Sequence, residues 1–306
     1  MPSPSRAFLS FPYLSCLACV ARARALFALL AVLVLLLFPT ACKDTTKLSL
    51  EKATGDVSFL VETTRKDVGE VRSGLPAGAD ALAAAWKADA SIATDSKAAQ
   101  RALEDARRKV QDLRVAKSTF FALADTSGVV IRNDQEQDRM AGHALFAAFP
   151  ALAGATAAYV EGAGSMPEAA GVRAPRPDGQ WAAAAPVRVD GVAKGIYVTG
   201  WSWSSYAYRL EFALRSRIRS ELMGQAGAKE PLVYVYMIVG KAVFGAPVSP
   251  EVNMKAIADV DPLAKASGDA VFSRAVDVTG RSFGLAVRRA PDLGSDVAVA
   301  ILRSET

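Results

Sequence analysis

The residue types that usually carry catalysis are few in this sequence and poorly placed for it. The three cysteines are Cys16, Cys19 and Cys42, and none follows residue 42. A disulfide framework or a cysteine metal site in the remainder is thereby excluded. A single histidine, His143, excludes a multi-histidine metal centre. No P-loop, G-x-S-x-G or HExxH pattern occurs. The carboxylates are scattered, with nothing that pairs them for acid–base work. No catalytic residue, cofactor or metal is expected. What remains is recognition chemistry. In GIYVTGWSWSSYAYRLEFALR (Gly195–Arg215), Trp201, Trp203, Tyr206 and Tyr208 crowd where a strand passes into a helix. Such rings bury a large area while an N–H or O–H reaches a polar group. They serve either as packing between elements or, with Trp181 and Tyr197, as the wall of a small-molecule cavity.

The elements that must hold these rings can be read from periodicity. Alternate strand residues share a face, so Tyr197, Thr199, Trp201 and Trp203 point one way and Ile196, Val198, Gly200 and Ser202 the other. Both faces can be buried, one against local helices and one against a long N-terminal helix. Ser204 or Ser205 is the expected N-cap of the helix that follows. Tyr206, Leu210, Leu214, Ile218 and Leu222 form its apolar stripe, and Gly224 its stop.

Upstream, Val57, Val61, Thr64, Val68, Val71 and Leu75 step by 4, 3, 4, 3 and 4, one stripe of a helix. Gly74, Pro76 and Gly78 are expected to interrupt it before a second helix through Leu82 and Trp86. A third segment starts at a cap on Asp95 or Ser96 and places Leu103, Ala106, Val110 and Leu113 on one side. The unbroken heptads are too few to favour a coiled coil over a helical stalk.

The rest of the chain repeats one order of elements. FFALADTSGVVIRNDQ, from Phe120, reads as a hairpin about Ser127-Gly128, and Asp138–Phe149 as a helix that ends at Pro150. A third strand is placed near Ala157–Glu161, and Gly162–Pro177 is a loop. Trp181–Val189 and Val192–Trp203 join at Asp190-Gly191, a strong hairpin signal. Leu232–Val239, Ala242–Phe244, short helices from Pro250 and Pro262, then Ala270–Val278, Arg281–Arg289 and Val297–Arg303 follow the same scheme. DGQWAAAAPVRVDGVAKGIYVTGW parallels TGRSFGLAVRRAPDLGSDVAVAIL, which points to an internal duplication.

A leading helix followed by two such regions resembles the extracytoplasmic double Cache sensor domains, relatives of PAS. LADTSGVVIRND is similar to their D-x-x-G-x-v-i hairpin, and AAPVRVDGVAKGIYVTG to their closing strand pair. The resemblance covers about 118–303. It implies a pocket for amino acids, amines or carboxylates in the first lobe, with Asp125, Arg132, Arg173 or Asp190 as the charged partner of the aromatics. Some PAS-like lobes bind haem through a helical histidine. His143 sits in a helix-like run but has neither a visible partner to fix its ring nor an attachment motif, and haem is not expected. Family members usually return to the membrane after the second lobe. This sequence ends at Thr306 with no second apolar span, so signalling is expected through other chains.

Composition and the N-terminus set the location. Apolar residues make up 51%, enough for real cores. The formal charge is +5, but Arg6, Arg22 and Arg24 lie in 41 residues without an acid, leaving 33 basic against 31 acidic groups. That balance does not suggest nucleic acid. Ala25–Phe38 is a run of fourteen uncharged residues behind Arg22 and Arg24, the pattern of a secretory signal and short of the roughly 20 residues that span a bilayer. Pro39-Thr40-Ala41-Cys42 resembles the bacterial lipoprotein cleavage box, with Pro39 where a leucine-like residue is usual. Cys42 is therefore the expected lipidation site, and an uncleaved membrane anchor is the alternative.

The expected fold is α+β. A signal peptide and lipobox occupy 1–42 and a helical stalk 43–117. A first PAS/Cache-like lobe with a connector helix spans 118–223 and a second lobe 231–306, each an antiparallel five-stranded sheet with helices on one face. The expected function is that of an extracytoplasmic ligand-binding sensory lipoprotein, with Asp125, Arg132, Trp181, Tyr197, Trp201 and Trp203 as ligand-binding residues. Its partners are the membrane, through the lipid, a small ligand and an envelope signalling protein. A structural envelope lipoprotein with empty lobes is the rival.

Overall fold

The computed structural model describes residues 16–170 and 178–305, with side chains over 45–169 and 178–305. Met1–Thr45 and Thr46–Thr306 form separate units. Residues 1–15, the side chains of the rest of the signal segment, that of Cys42 among them, and Arg173 lie outside what is described. Among the described residues no helix is long and apolar enough to cross a membrane.

Helix α1 spans Cys16–Ala88. It is not interrupted at Gly74, Pro76 and Gly78. A proline inside a helix costs about 3 kcal/mol, and tertiary packing offsets it: Val71, Leu75, Ala79 and Leu82 are all buried. The two glycines serve close approach instead of termination. A Cβ on Gly78 would lie 2.5 Å from Leu113 and 2.6 Å from Tyr197, and one on Gly74 2.8 Å from Leu113. Asp95 caps α2 (Ser96–Lys109), accepting from the Lys97 and Ala98 amides. Val110 ends that helix, so the expected stripe continues only across a break into α3 (Gln111–Val115).

The first sheet holds β1 (Phe120–Ala124), β2 (Val130–Asn133), β3 (Val160–Gly164), β4 (Gln180–Val189) and β5 (Val192–Ser202), in the order β2-β1-β5-β4-β3. The β4–β5 turn is tight because Asp190 and Gly191 both take positive φ, 52° and 82°, the conformation a two-residue hairpin requires. Between β2 and β3 the expected twelve-residue helix is absent. Only α4 (Leu145–Ala148) is helical, and Pro150 opens a 3-10 turn through Thr156. Ala144 instead bridges Val129, and the Asp138 carboxylate accepts from the Met140 and Ala141 amides. This local side-chain pairing holds the segment in turns. β3 begins at Val160, three residues beyond the expected start, and extends into the glycines of the expected loop.

α5 (Trp203–Leu222) connects the lobes. Ser202, not Ser204 or Ser205, is its N-cap and accepts from the Ser205 amide. The second sheet holds β6 (Leu232–Val239), β7 (Ala242–Gly245), β8 (Phe272–Val278), β9 (Arg281–Arg289) and β10 (Val297–Ser304), with α6 (Glu251–Ala258) and α7 (Pro262–Lys265) between β7 and β8. Its order, β7-β6-β10-β9-β8, is the same permutation as that of the first sheet.

Alternation sorts the core into three clusters. One face of each sheet joins α1, α2 and α5 in a single continuous apolar body. The other face of the first sheet packs under α4 and its neighbouring turns, and the other face of the second under α6 and α7.

Candidate functional site

The aromatic strand end builds the contact between the first lobe and the long helix. Trp181 on β4 is paired in register with Trp201 on β5, and their rings stack at 4.3 Å and 23°. The stack continues into the first turn of α5, where Tyr206 lies 4.7 Å from Trp201 at 18°. Trp181, Trp201, Trp203 and Tyr206 are all buried. The Tyr206 hydroxyl donates to Asp67 of α1 at 3.0 Å. Asp67 is 5% exposed, and burial pushes its carboxyl up to about 6 against the hydrogen bond from Tyr206. Burial and the adjacent Asp67 likewise raise the Tyr206 phenol. The first turn of α5 is secured further by Asp178, which accepts from the Ser204 amide at 3.3 Å.

Tyr197 stacks on Phe121 at 5.9 Å, with the Arg107 guanidinium 4.8 Å above the Phe121 ring. Its hydroxyl and the Trp201 indole N–H are buried without hydrogen-bond partners. Tyr197 and Trp201 therefore face the helices, as alternation predicts, while Ile196 and Val198 face the interior of the first lobe.

Two further contacts tie α1 to the second lobe. Arg303 on β10 pairs with Asp56 at 2.5 Å, both side chains 7% exposed. Burial raises the Asp56 carboxyl and Arg303 opposes this. Arg72 of α1 reaches both lobes at once: its Nε donates to Glu161 on β3 at 2.7 Å and its Nη1 to Asp292 beyond β9 at 3.2 Å.

The expected ligand set is not gathered in one place. Trp181, Tyr197, Trp201 and Trp203 share the helix-facing core. Asp125 caps the β1–β2 turn, accepting from the Ser127 and Val129 amides. Arg132 donates to Gln100 Oε1 and to the Gln135 and Glu136 carbonyls, and pairs with Asp138 at 3.5 Å. Asp190 is in the exposed β4–β5 turn, paired with Lys87. His143 lies in a turn instead of a helix, 3.9 Å from Glu168. The interior of the first lobe is filled by Met140, Leu145, Phe149, Leu152 and Met166. Gln180 pins Met166 through both its backbone amide and carbonyl at 2.8 Å. A shallow depression of about 340 Å³ lies elsewhere, lined by Glu104, Arg107, Arg108, Arg114 and Asp134. Among the described residues no group of His, Cys, Asp and Glu is placed to hold a metal ion.

Sequence reasoning did not single out Asp56, Asp67, Arg72 or Arg303. For two of them a signal existed, because Asp56 and Asp67 fall at core-facing positions of the apolar α1 stripe. An acid there must find a buried partner.

No protein-family model matches the sequence, and no curated protein matches it. Solved structures share the fold. The extracellular domain of vpHK1S-Z8, assigned as a histidine kinase, superposes with a TM-score of 0.53 at 11% identity, over 86% of this chain and 93% of that one. A domain of a sensory box/GGDEF family protein from Vibrio parahaemolyticus gives 0.50 at 14% identity, over 86% and 98%. The ligand-binding domain of the Campylobacter jejuni chemoreceptor Tlp3, in complex with 4-methylisoleucine, gives 0.49 at 11%, over 87% and 94%. The likeness to the first two shows a shared fold, a leading helix followed by two antiparallel five-stranded sheets with helices.

Proposed function

We propose that this chain is an extracytoplasmic sensory module, tethered by lipid at Cys42. It binds a small amino acid, amine or carboxylate in the first lobe and acts through an envelope signalling protein. The observation that supports this most is the single apolar body that joins one face of both sheets to α1 and α5. A shift of either lobe against α1 has to be met by repacking in that body, because interiors are close-packed. A ligand drives such a shift only by binding one arrangement better than the other. The ligand site in this reading lies between the inner face of the first sheet and the segment carrying Met140 and Met166, whose flexible side chains can yield to a guest.

A thermal-shift screen of the purified chain against amino acids, amines and carboxylates tests this reading. A binder at 100 times its dissociation constant adds about 2.7 kcal/mol, and Met166→Trp should abolish that gain. The filled first-lobe interior favours a second reading, a structural envelope lipoprotein. Absence of any shift, together with capture of a defined envelope partner, would decide for it.

A further inference from the structure

α1 carries two acids on its core-facing side, eleven residues apart, and the fold treats them differently. Asp56 meets the guanidinium of Arg303. Asp67 meets no cation. Its hydrogen bond comes from the neutral Tyr206 hydroxyl on α5, and among the described residues it forms no ion pair. One turn along α1, Glu70 has a buried carboxylate oxygen without a partner. The charged groups that act on Asp67 through space are Lys117 before β1 and Lys66 and Glu70 on α1 itself. α5 contributes only the phenol of Tyr206. Behind that phenol stand Trp201 and Trp181, whose rings report any movement of Tyr206.

We propose that Asp67 is a proton-sensing site, whose protonation closes the α1–α5 contact and whose ionisation loosens it. A neutral carboxyl in this apolar wall keeps its bond to Tyr206 without the cost of a buried charge. An ionised one is poorly solvated there, and separating α1 from α5 relieves that cost. Burial raises this carboxyl to about 6, which sets the pH at which the change falls. The ligand is the proton, so this inference does not depend on an occupant of the first lobe.

The test is a pH titration of the full chain followed by tryptophan emission and near-UV circular dichroism. It is run on a His143→Gln background, so that the one histidine of the chain cannot contribute. A single transition near pH 6 is expected. Asp67→Asn should remove it. Glu70→Gln should move the midpoint down, since a neighbouring negative charge is lost, and Tyr206→Phe should move it up, since a hydrogen bond to the carboxylate is lost. Should Asp67→Asn fail to fold, the two opposite shifts decide the matter. A transition that survives Asp67→Asn, or a midpoint unmoved by both other variants, overturns the proposal.

Discussion

Trp201 and Tyr206 stack at 4.7 Å with their planes 18° apart, although one closes a strand and the other opens a helix. The strand-to-helix junction is thus a rigid corner, held by rings on one side and by Ser202 and Asp178 on the other. Trp201→Ala should cost about 3–5 kcal/mol, measured by denaturant unfolding. A loss below about 1 kcal/mol would show that the corner does not bear on stability.

Two glycines of α1 should respond in opposite directions. Nothing lies within 4 Å of a Cβ added to Gly69, so Gly69→Ala should gain up to about 1 kcal/mol of helix propensity. At Gly78 the new methyl meets the Tyr197 ring at 2.6 Å, and Gly78→Ala should lose about 1–3 kcal/mol to overpacking. Equal melting temperatures for the two variants would contradict the packing described here.

Arg303→Met leaves Asp56 buried without its cation and should cost about 3–5 kcal/mol. Replacing both partners, as Asp56→Leu with Arg303→Met, should recover most of that loss. A double variant as unstable as the single one would mean that the pair is not the source.

The stability of the chain should fall as pH rises through about 6. The Asp67 carboxyl is raised in the folded state, so the native protein holds the proton more tightly than the unfolded chain. Its contribution is complete below the ordinary carboxylate pKa of about 4 and is lost as pH passes the folded value. Asp56, Asp134 and Asp178 are raised by burial as well and act with the same sign. At about 1.4 kcal/mol per unit, Asp67 alone accounts for about 2 kcal/mol between pH 4 and 7. Asp67→Asn should flatten this part of the melting profile.

Arg72 should couple the lobes energetically. In double-mutant cycles, Glu161→Ala and Asp292→Ala should be non-additive when Arg72 is present and additive in Arg72→Ala. Arg72 is 44% exposed, so the coupling should stay within about 1 kcal/mol and fade with salt. Additivity in both backgrounds would mean that the guanidinium does not join the two sides.

The strands were legible because their signals are local. Asp190-Gly191 and Thr279-Gly280 need positive φ, and all four residues show it. The duplicated order followed from counting such turns. What sequence did not disclose depends on partners far along the chain. Gly74, Pro76 and Gly78 looked like a break because their neighbours Leu113 and Tyr197 are not visible from α1. Asp138 drew the Met140–Ala144 stretch out of the helix that its spacing suggested. Tyr206 and Asp67 are 139 positions apart, so the polar end of the aromatic stack could not be assigned.

α1 touches the second lobe mainly through its Ser49–Arg72 stretch, and the first through Asp67–Lys87. The two stretches overlap on one screw, so the spacing of contacts along it fixes an angle as well as a length. One residue inserted near Glu62 would turn the contacts of Ser49 and Asp56 by about 100° relative to those from Arg65 onward, whereas seven would nearly restore the phase and add about 10 Å. Insertions in that span should therefore be tolerated only in near-heptad steps, and the two bodies riding on it are geared to each other as cams on a shaft.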